Sequence, residues 1–126
     1  MSDPNPKDLI GKSKPQMHLI PPVAEVLTAK VFELGAAKYG PYNWRDHDVQ
    51  ATVYISAARR HLAAWLDGED DDPESGVTHL AHVASCMAIL MDAQRNGKLI
   101  DDRPPGGKAA AVIRELTRGE AYGECT

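Results

Sequence analysis

Residues 50–97 read QATVYISAARRHLAAWLDGEDDDPESGVTHLAHVASCMAILMDAQRNG, and this stretch decides the fold. From Gln50 to about Leu66, the side chains of Tyr54, Ala57, Ala58, His61, Leu62 and Trp65 share one face of a helix. A second run from about Pro73 to Asn96 repeats the period with Leu80, Val83, Ala84, Met87, Leu90 and Met91, and Gly97 stops it. Asp72 reads as the N-cap of that second helix and Pro73 as its first turn. Gly68 ends the first helix, and the acidic link from Glu69 to Glu74 is short enough to make the two helices pack antiparallel.

Working outward, Val23, Val26, Leu27, Val31 and Leu34 mark a further amphipathic helix from about Pro22 to Lys38, ended by Tyr39-Gly40-Pro41. Residues 1–22, rich in Pro and Lys, read as an extended arm that Leu19 and Ile20 pin to the body. Residues 101–107 read as a linker, and Lys108–Arg118 as a short fourth helix. No run alternates with period two for long enough to make a strand. The expected fold is all-α: a compact, oligomeric bundle of three main helices with a short C-terminal helix. Residues 1–100 form the helical domain, with the arm at 1–22, and residues 101–126 form a linker and tail.

Composition narrows the function. The chain has 126 residues, fitting one domain, and 18 acidic against 14 basic residues give a net charge of −4. A duplex-binding protein carries a basic stripe that displaces counterions, so DNA binding is not expected, whereas a small anionic ligand held by a few cations is. Cys86 and Cys125 do not suggest a disulfide framework. The first residues lack an apolar leader, and no run approaches the ~18 apolar residues of a membrane span, so the expectation is a cytoplasmic protein without a membrane partner. With one Phe and 6% aromatic residues, the core is thin, and a homodimer or homotetramer closed by two-fold symmetry is expected to finish the burial.

The polar residues of the two central helices suggest a metal. His79 and His82, spaced i, i+3, put both imidazoles on one helical face. Across the groove stands His61, with Glu69 and Asp72 at the closed end. These five residues are the candidate ligands. Imidazole with carboxylate suits Mn, Co or Zn, and carboxylate with substrate phosphate suits Mg. The bland alternatives are a solvated acidic loop and satisfied core histidines; Cys86 reads as a small buried apolar group.

A second cluster is Lys38-Tyr39-Gly40-Pro41-Tyr42-Asn43-Trp44-Arg45. A base could stack on Trp44, Asn43 could read its edge, and Arg45 could take phosphate bidentately. Alternatively, Trp44 anchors the loop on the core. Lys12 and Lys14 could close over phosphates, although the Gly11-Lys12-Ser13 fragment lacks the first glycine of a phosphate loop. No Ser-His-Asp or Cys-His nucleophile is readable.

Gly35-Ala36-Ala37-Lys38-Tyr39-Gly40, Asn43-Trp44-Arg45, Arg60-His61, Trp65, Gly68-Glu69, Asp72-Pro73-Glu74-Ser75-Gly76 and His79-Leu80-Ala81-His82 together resemble the phage dATP/dGTP diphosphohydrolase family over about residues 12–95. The resemblance implies a metal-dependent pyrophosphohydrolase cutting purine deoxynucleoside triphosphates to the monophosphate and pyrophosphate. In phages that build 2-aminoadenine DNA, it would supply dGMP and deplete dATP in the host cytoplasm. The family is similar to the all-α MazG-like pyrophosphohydrolases, whose facing helices carry Glu-x-x-Glu and Glu-x-x-Asp pairs. This chain departs from that pattern, with Glu25 and Glu33 alone on its first long helix and His79 and His82 where carboxylates would stand.

On this basis Mg, Mn or Co is the expected cofactor. Glu69 or His61 serves as base, and Arg60, Arg45 and Lys38 stabilise the leaving pyrophosphate. Two other classes remain open. One is an HD-type phosphohydrolase using the histidines, although the adjacent His47-Asp48 pair lies in a loop. The other is a non-enzymatic helical module holding a structural metal.

Overall fold

The computed structural model describes residues 3–118. It is mostly helical, as the sequence predicts, with α1 (Pro6–Lys12), α2 (Pro22–Tyr39), α3 (Asn43–Asp46), α4 (Ala51–Leu66), α5 (His79–Arg95) and α6 (Ala109–Leu116). A single 3₁₀ turn covers Met17–Leu19, and two short strands, β1 (Val49–Gln50) and β2 (Leu99–Ile100), pair in parallel. Strands of two residues are too short to leave a period-two pattern, which is why the sequence does not reveal them.

Helix α5 is the hub: α2, α3, α4 and both strands pack on it. His61 near the end of α4 meets His79 and His82 at the start of α5, and Tyr54 nearer the start of α4 shares a pocket with Ser85 and Ile89. That register makes α4 and α5 antiparallel.

The link between them differs from the sequence expectation. Helix α5 begins at His79, not Pro73, and its N-cap is Thr78, whose Oγ1 accepts the Leu80 N–H at 3.2 Å. Pro73 and Gly76 divert the chain first: Gly76 has φ +72°, a left-handed conformation that glycine adopts without Cβ strain. Asp72 spends its Oδ1 on the Glu74 N–H (2.8 Å) instead of capping α5. The link is tied by Asp72 N–H to the Val77 carbonyl (2.9 Å) and His79 N–H to the Asp70 carbonyl (2.9 Å), with an antiparallel bridge between Asp71 and Thr78. The acidic run is therefore an ordered turn folded over the end of α4.

The N-terminal arm is also more regular than expected. Asn5 accepts the Lys7 N–H and starts α1. Leu19 and Ile20, expected to pin the arm, are exposed at 72% and 55%. The buried core is small, composed of Val49, Ala51, Ala58, Val77, Ala81, Cys86 and Ala93 around His79 and Ser85. Cys125 and the end of the tail lie outside the described residues. Among the described residues, no helix is long and apolar enough to cross a membrane.

Candidate functional site

Three histidines and a carboxylate meet where α4 ends and α5 begins. His61 Nδ1 lies 2.8 Å from His79 Nδ1 and 3.6 Å from Asp72 Oδ2. His79, almost fully buried, bonds through its other nitrogen: Nε2 is 2.6 Å from Glu69 Oε1. Because a carboxylate only accepts, Nε2 carries a proton, and in the neutral ring Nδ1 then presents a lone pair. His61 Nδ1–H then donates to it. Moving that proton to Nε2 of the same ring leaves two neutral imidazole nitrogens and the Asp72 carboxylate as donors, all within 4.8 Å of one another. Two neutral imidazoles and one carboxylate suit a divalent transition cation and leave coordination positions for other oxygens. The donor set fits a metal.

His82 stacks flat on His61, with centroids 4.4 Å apart and planes 6° from parallel, and its Nε2 is 2.7 Å from Ser75 Oγ. Burial, reinforced by neighbouring histidines, lowers the pKa of His61; burial also lowers that of His82. Both effects favour the neutral rings that ligation and proton acceptance require. Burial would raise Asp72, but hydrogen bonds from the Glu74 and Ser75 backbone, with His82 and His61 beside it, prevail and hold it below the usual carboxylate range.

His61, Asp72 and His82 line a cleft of about 560 Å³ together with Lys38, Tyr39, Glu74 and Ser75, and the buried His79 stands behind them. Lys38 is paired with Glu74 at 3.1 Å, which keeps its ammonium protonated. A smaller pocket of about 160 Å³ adjoins it, sharing Val31, Gly35 and Tyr39, and is lined by Phe32, Tyr42, Asn43, Trp44 and Tyr54. Phe32 and Tyr42 both meet Trp44 edge to face, with ring centres 6.3 and 5.9 Å from it. A charged cleft beside the candidate metal ligands thus adjoins an aromatic pocket.

A family model described as dATP/dGTP diphosphohydrolase, N-terminal, matches residues 4–103. The chain belongs to the dATP/dGTP diphosphohydrolase N-terminal family. A dATP/dGTP diphosphohydrolase of Salmonella phage PMBT28 is 30% identical over 92 residues, covering 73% of this chain and 31% of that protein. The chain therefore aligns with about a third of the length of its relative. No solved structure matches the chain.

In this member of the dATP/dGTP diphosphohydrolase family, the expected residues divide into groups. His61, Asp72 and His79 converge, and His82 stacks against them. Glu69 stands on the far nitrogen of His79, outside that donor set. Lys38 lines the larger cleft, and Asn43 and Trp44 the aromatic pocket. Trp44 lines the pocket and also packs edge to face on Phe32, as a loop anchor does. Arg60 is exposed and lines neither cavity, and Arg45 is held by Asp92. Lys12 borders a separate surface hollow with Asp8 and His18, and Lys14 lines neither main cavity. Glu33 pairs with Lys30 on the exposed side of α2.

Ser75, Glu74, Tyr54 and Asp92 belong to the site or its supports without having been singled out for a role in the sequence. For Ser75 the available signal was a hydroxyl between Pro73 and Gly76, in a turn next to the histidines. Asp92 gave none, since it lies 47 positions from Arg45.

Proposed function

We propose that the chain hydrolyses purine deoxynucleoside triphosphates, dGTP and dATP, to the monophosphate and pyrophosphate, with a divalent metal held by His61, Asp72 and His79. The observation that carries this reading is the convergence of those three side chains beside a cleft, lined by His61 and Asp72, that adjoins an aromatic pocket of base-stacking chemistry. The family model and the phage relative, both described as dATP/dGTP diphosphohydrolase, support the reading.

When bound, the cation would withdraw charge from phosphate oxygens and make a water more acidic. The chain's residues do the rest. Trp44 stacks the base and Asn43 reads its edge, which places the phosphates toward Lys38 and the histidines. Lys38 exchanges Glu74 for phosphate oxygen and offsets charge on the departing pyrophosphate. His82, oriented by Ser75, receives the proton of the attacking water. The water oxygen bonds to the α-phosphorus, and the bond from that phosphorus to the bridging oxygen breaks. Glu69 acts through His79, fixing its tautomer so that Nδ1 points into the site.

Mn or Co supports the reaction at least as well as Mg, because two of the three donors are imidazoles. The working form is a homodimer or homotetramer in the cytoplasm of the host of a phage, where it shifts the purine pool in favour of 2-aminoadenine DNA. The test is a panel of the four deoxynucleoside triphosphates with Mg, Mn and Co in turn, products resolved by chromatography. Release of dGMP and pyrophosphate is expected; equal cleavage of dTTP and dCTP would refute the base pocket. The histidine-rich donor set also favours a second reading, an HD-type phosphohydrolase, for which orthophosphate release is the signature.

A further inference from the structure

Arg45 follows Trp44 directly, yet its guanidinium lines neither cavity. Its Nε and Nη2 each donate to a separate oxygen of Asp92 on α5, both at 2.7 Å. Its Cζ lies 5.3 Å from the centre of the Trp44 ring. A fork engaged at both prongs by one carboxylate is fixed in plane and direction, unlike a mobile phosphate ligand. Helix α3, which carries Asn43, Trp44 and Arg45, is a single four-residue turn. One turn cannot sustain itself, because the cost of nucleation exceeds what one hydrogen bond returns. It enters from Tyr42, a non-glycine residue at φ +62°, a conformation that needs support from its surroundings. The support in view is the tether to α5 and the edge contacts of Phe32 and Tyr42 on the indole.

We infer that Arg45 and Asp92 form a positioning pair: they fasten α3 to α5 and hold the Trp44 ring, with Asn43 beside it, at the aromatic pocket so that a purine can stack there. This rests on the pocket being the base site. Arg45 then acts on the base end of the substrate through Trp44, and Asp92 shares that role without touching the nucleotide.

The two ends of the nucleotide separate this role from phosphate binding. Affinity for dGMP and for an α,β-methylene analogue of dGTP is measured by calorimetry with Mn present, for the parent chain, Arg45→Met, Asp92→Asn and Trp44→Ala. A stacked base is worth roughly tenfold in affinity or more. Arg45→Met and Asp92→Asn are expected to weaken both ligands by the same factor, approaching that of Trp44→Ala. In a Trp65→Phe background, Asp92→Asn is expected to shift Trp44 fluorescence to the red without nucleotide, and Asp92→Glu to recover part of the loss. A loss confined to the triphosphate analogue, or an Asp92→Asn chain that binds as the parent does, overturns the inference. If Trp44→Ala weakens both ligands while the pair's variants do not, the pocket reading survives and only the inference falls. If Trp44→Ala binds both as the parent does, both fall together. Should Arg45→Met fail to fold by circular dichroism, Asp92→Asn, which preserves size, carries the same comparison.

Discussion

Glu69 and Asp72 come from one acidic run, yet they approach the histidine pair from different sides. Asp72 faces the Nδ1 of His61, and Glu69 holds the Nε2 of His79. Their substitutions therefore separate. Removing a carboxylate that orients a ligating histidine typically costs 10–100-fold in metal affinity, so Glu69→Gln is expected to weaken Mn binding by about that factor in a calorimetric titration. His61→Ala removes a donor outright and is expected to cut kcat by roughly 10²-fold or more while the circular dichroism stays helical. At the base end, Trp44→Ala should raise KM more than it lowers kcat, because stacking binds ground state and transition state alike. These residues were only half legible in the sequence. The histidines stood out because i, i+3 spacing on a helix dictates a common face. Whether Glu69 is a ligand or holds one depends on the path of the link from 67 to 78, which helical periodicity does not determine.

At the scale of elements, the long helices α2, α4 and α5 follow from three-to-four spacing and their Pro and Gly boundaries. The start of α5 does not. Asp72-Pro73 and Thr78 both satisfy the chemistry of a helix start, and only the hydrogen bonds of the turn select Thr78. Thr78→Ala should accordingly lower stability by about 1 kcal/mol in a denaturant melt, the usual cost of an N-cap. Helix α4 is capped from a distance. Its own N-cap residue, Gln50, makes no side-chain cap, and Asp102 supplies one, accepting from the Thr52 N–H at 2.9 Å and from the Thr52 hydroxyl. Hydrogen bonds from Thr52 and Gln50 depress the Asp102 pKa. A carboxyl lowered on folding adds stability above its unfolded pKa of about 3.9, and that stability disappears as pH falls through the lower folded value. Asp102→Ala is thus expected to lower the melting temperature by a few degrees near neutrality, with the gap from the parent closing as pH drops below about 4. A gap that stays constant down to pH 2 would show that the carboxylate is not the stabilising element. This link, across 50 positions, leaves no trace in local sequence.

On the scale of the whole molecule, the single chain is under-covered. Among the described residues Val49 is the largest fully buried side chain, while Val23, Val26, Leu66 and Leu116 are exposed at 69%, 68%, 78% and 72%. Apolar surface returns about 25 cal/mol per Å² when buried, so exposed stripes on α2, α4 and α6 favour self-association. Light scattering at micromolar concentration should give a dimeric or tetrameric mass, and a monomeric mass with full activity would contradict that. Composition pointed to this thin core, since one Phe and many alanines cannot fill a larger one.

The proposed activity depends on His61, Asp72 and His79 serving triphosphate cleavage through a bound metal. Pyrophosphate release from dGTP, followed in one sample before chelation, after it and after Mn is restored, tests this most directly. The rate is predicted to fall to background on chelation and to return with Mn, with dGMP accumulating in step with pyrophosphate. Turnover at an undiminished rate in the thoroughly chelated sample, or orthophosphate as the released product, would contradict it.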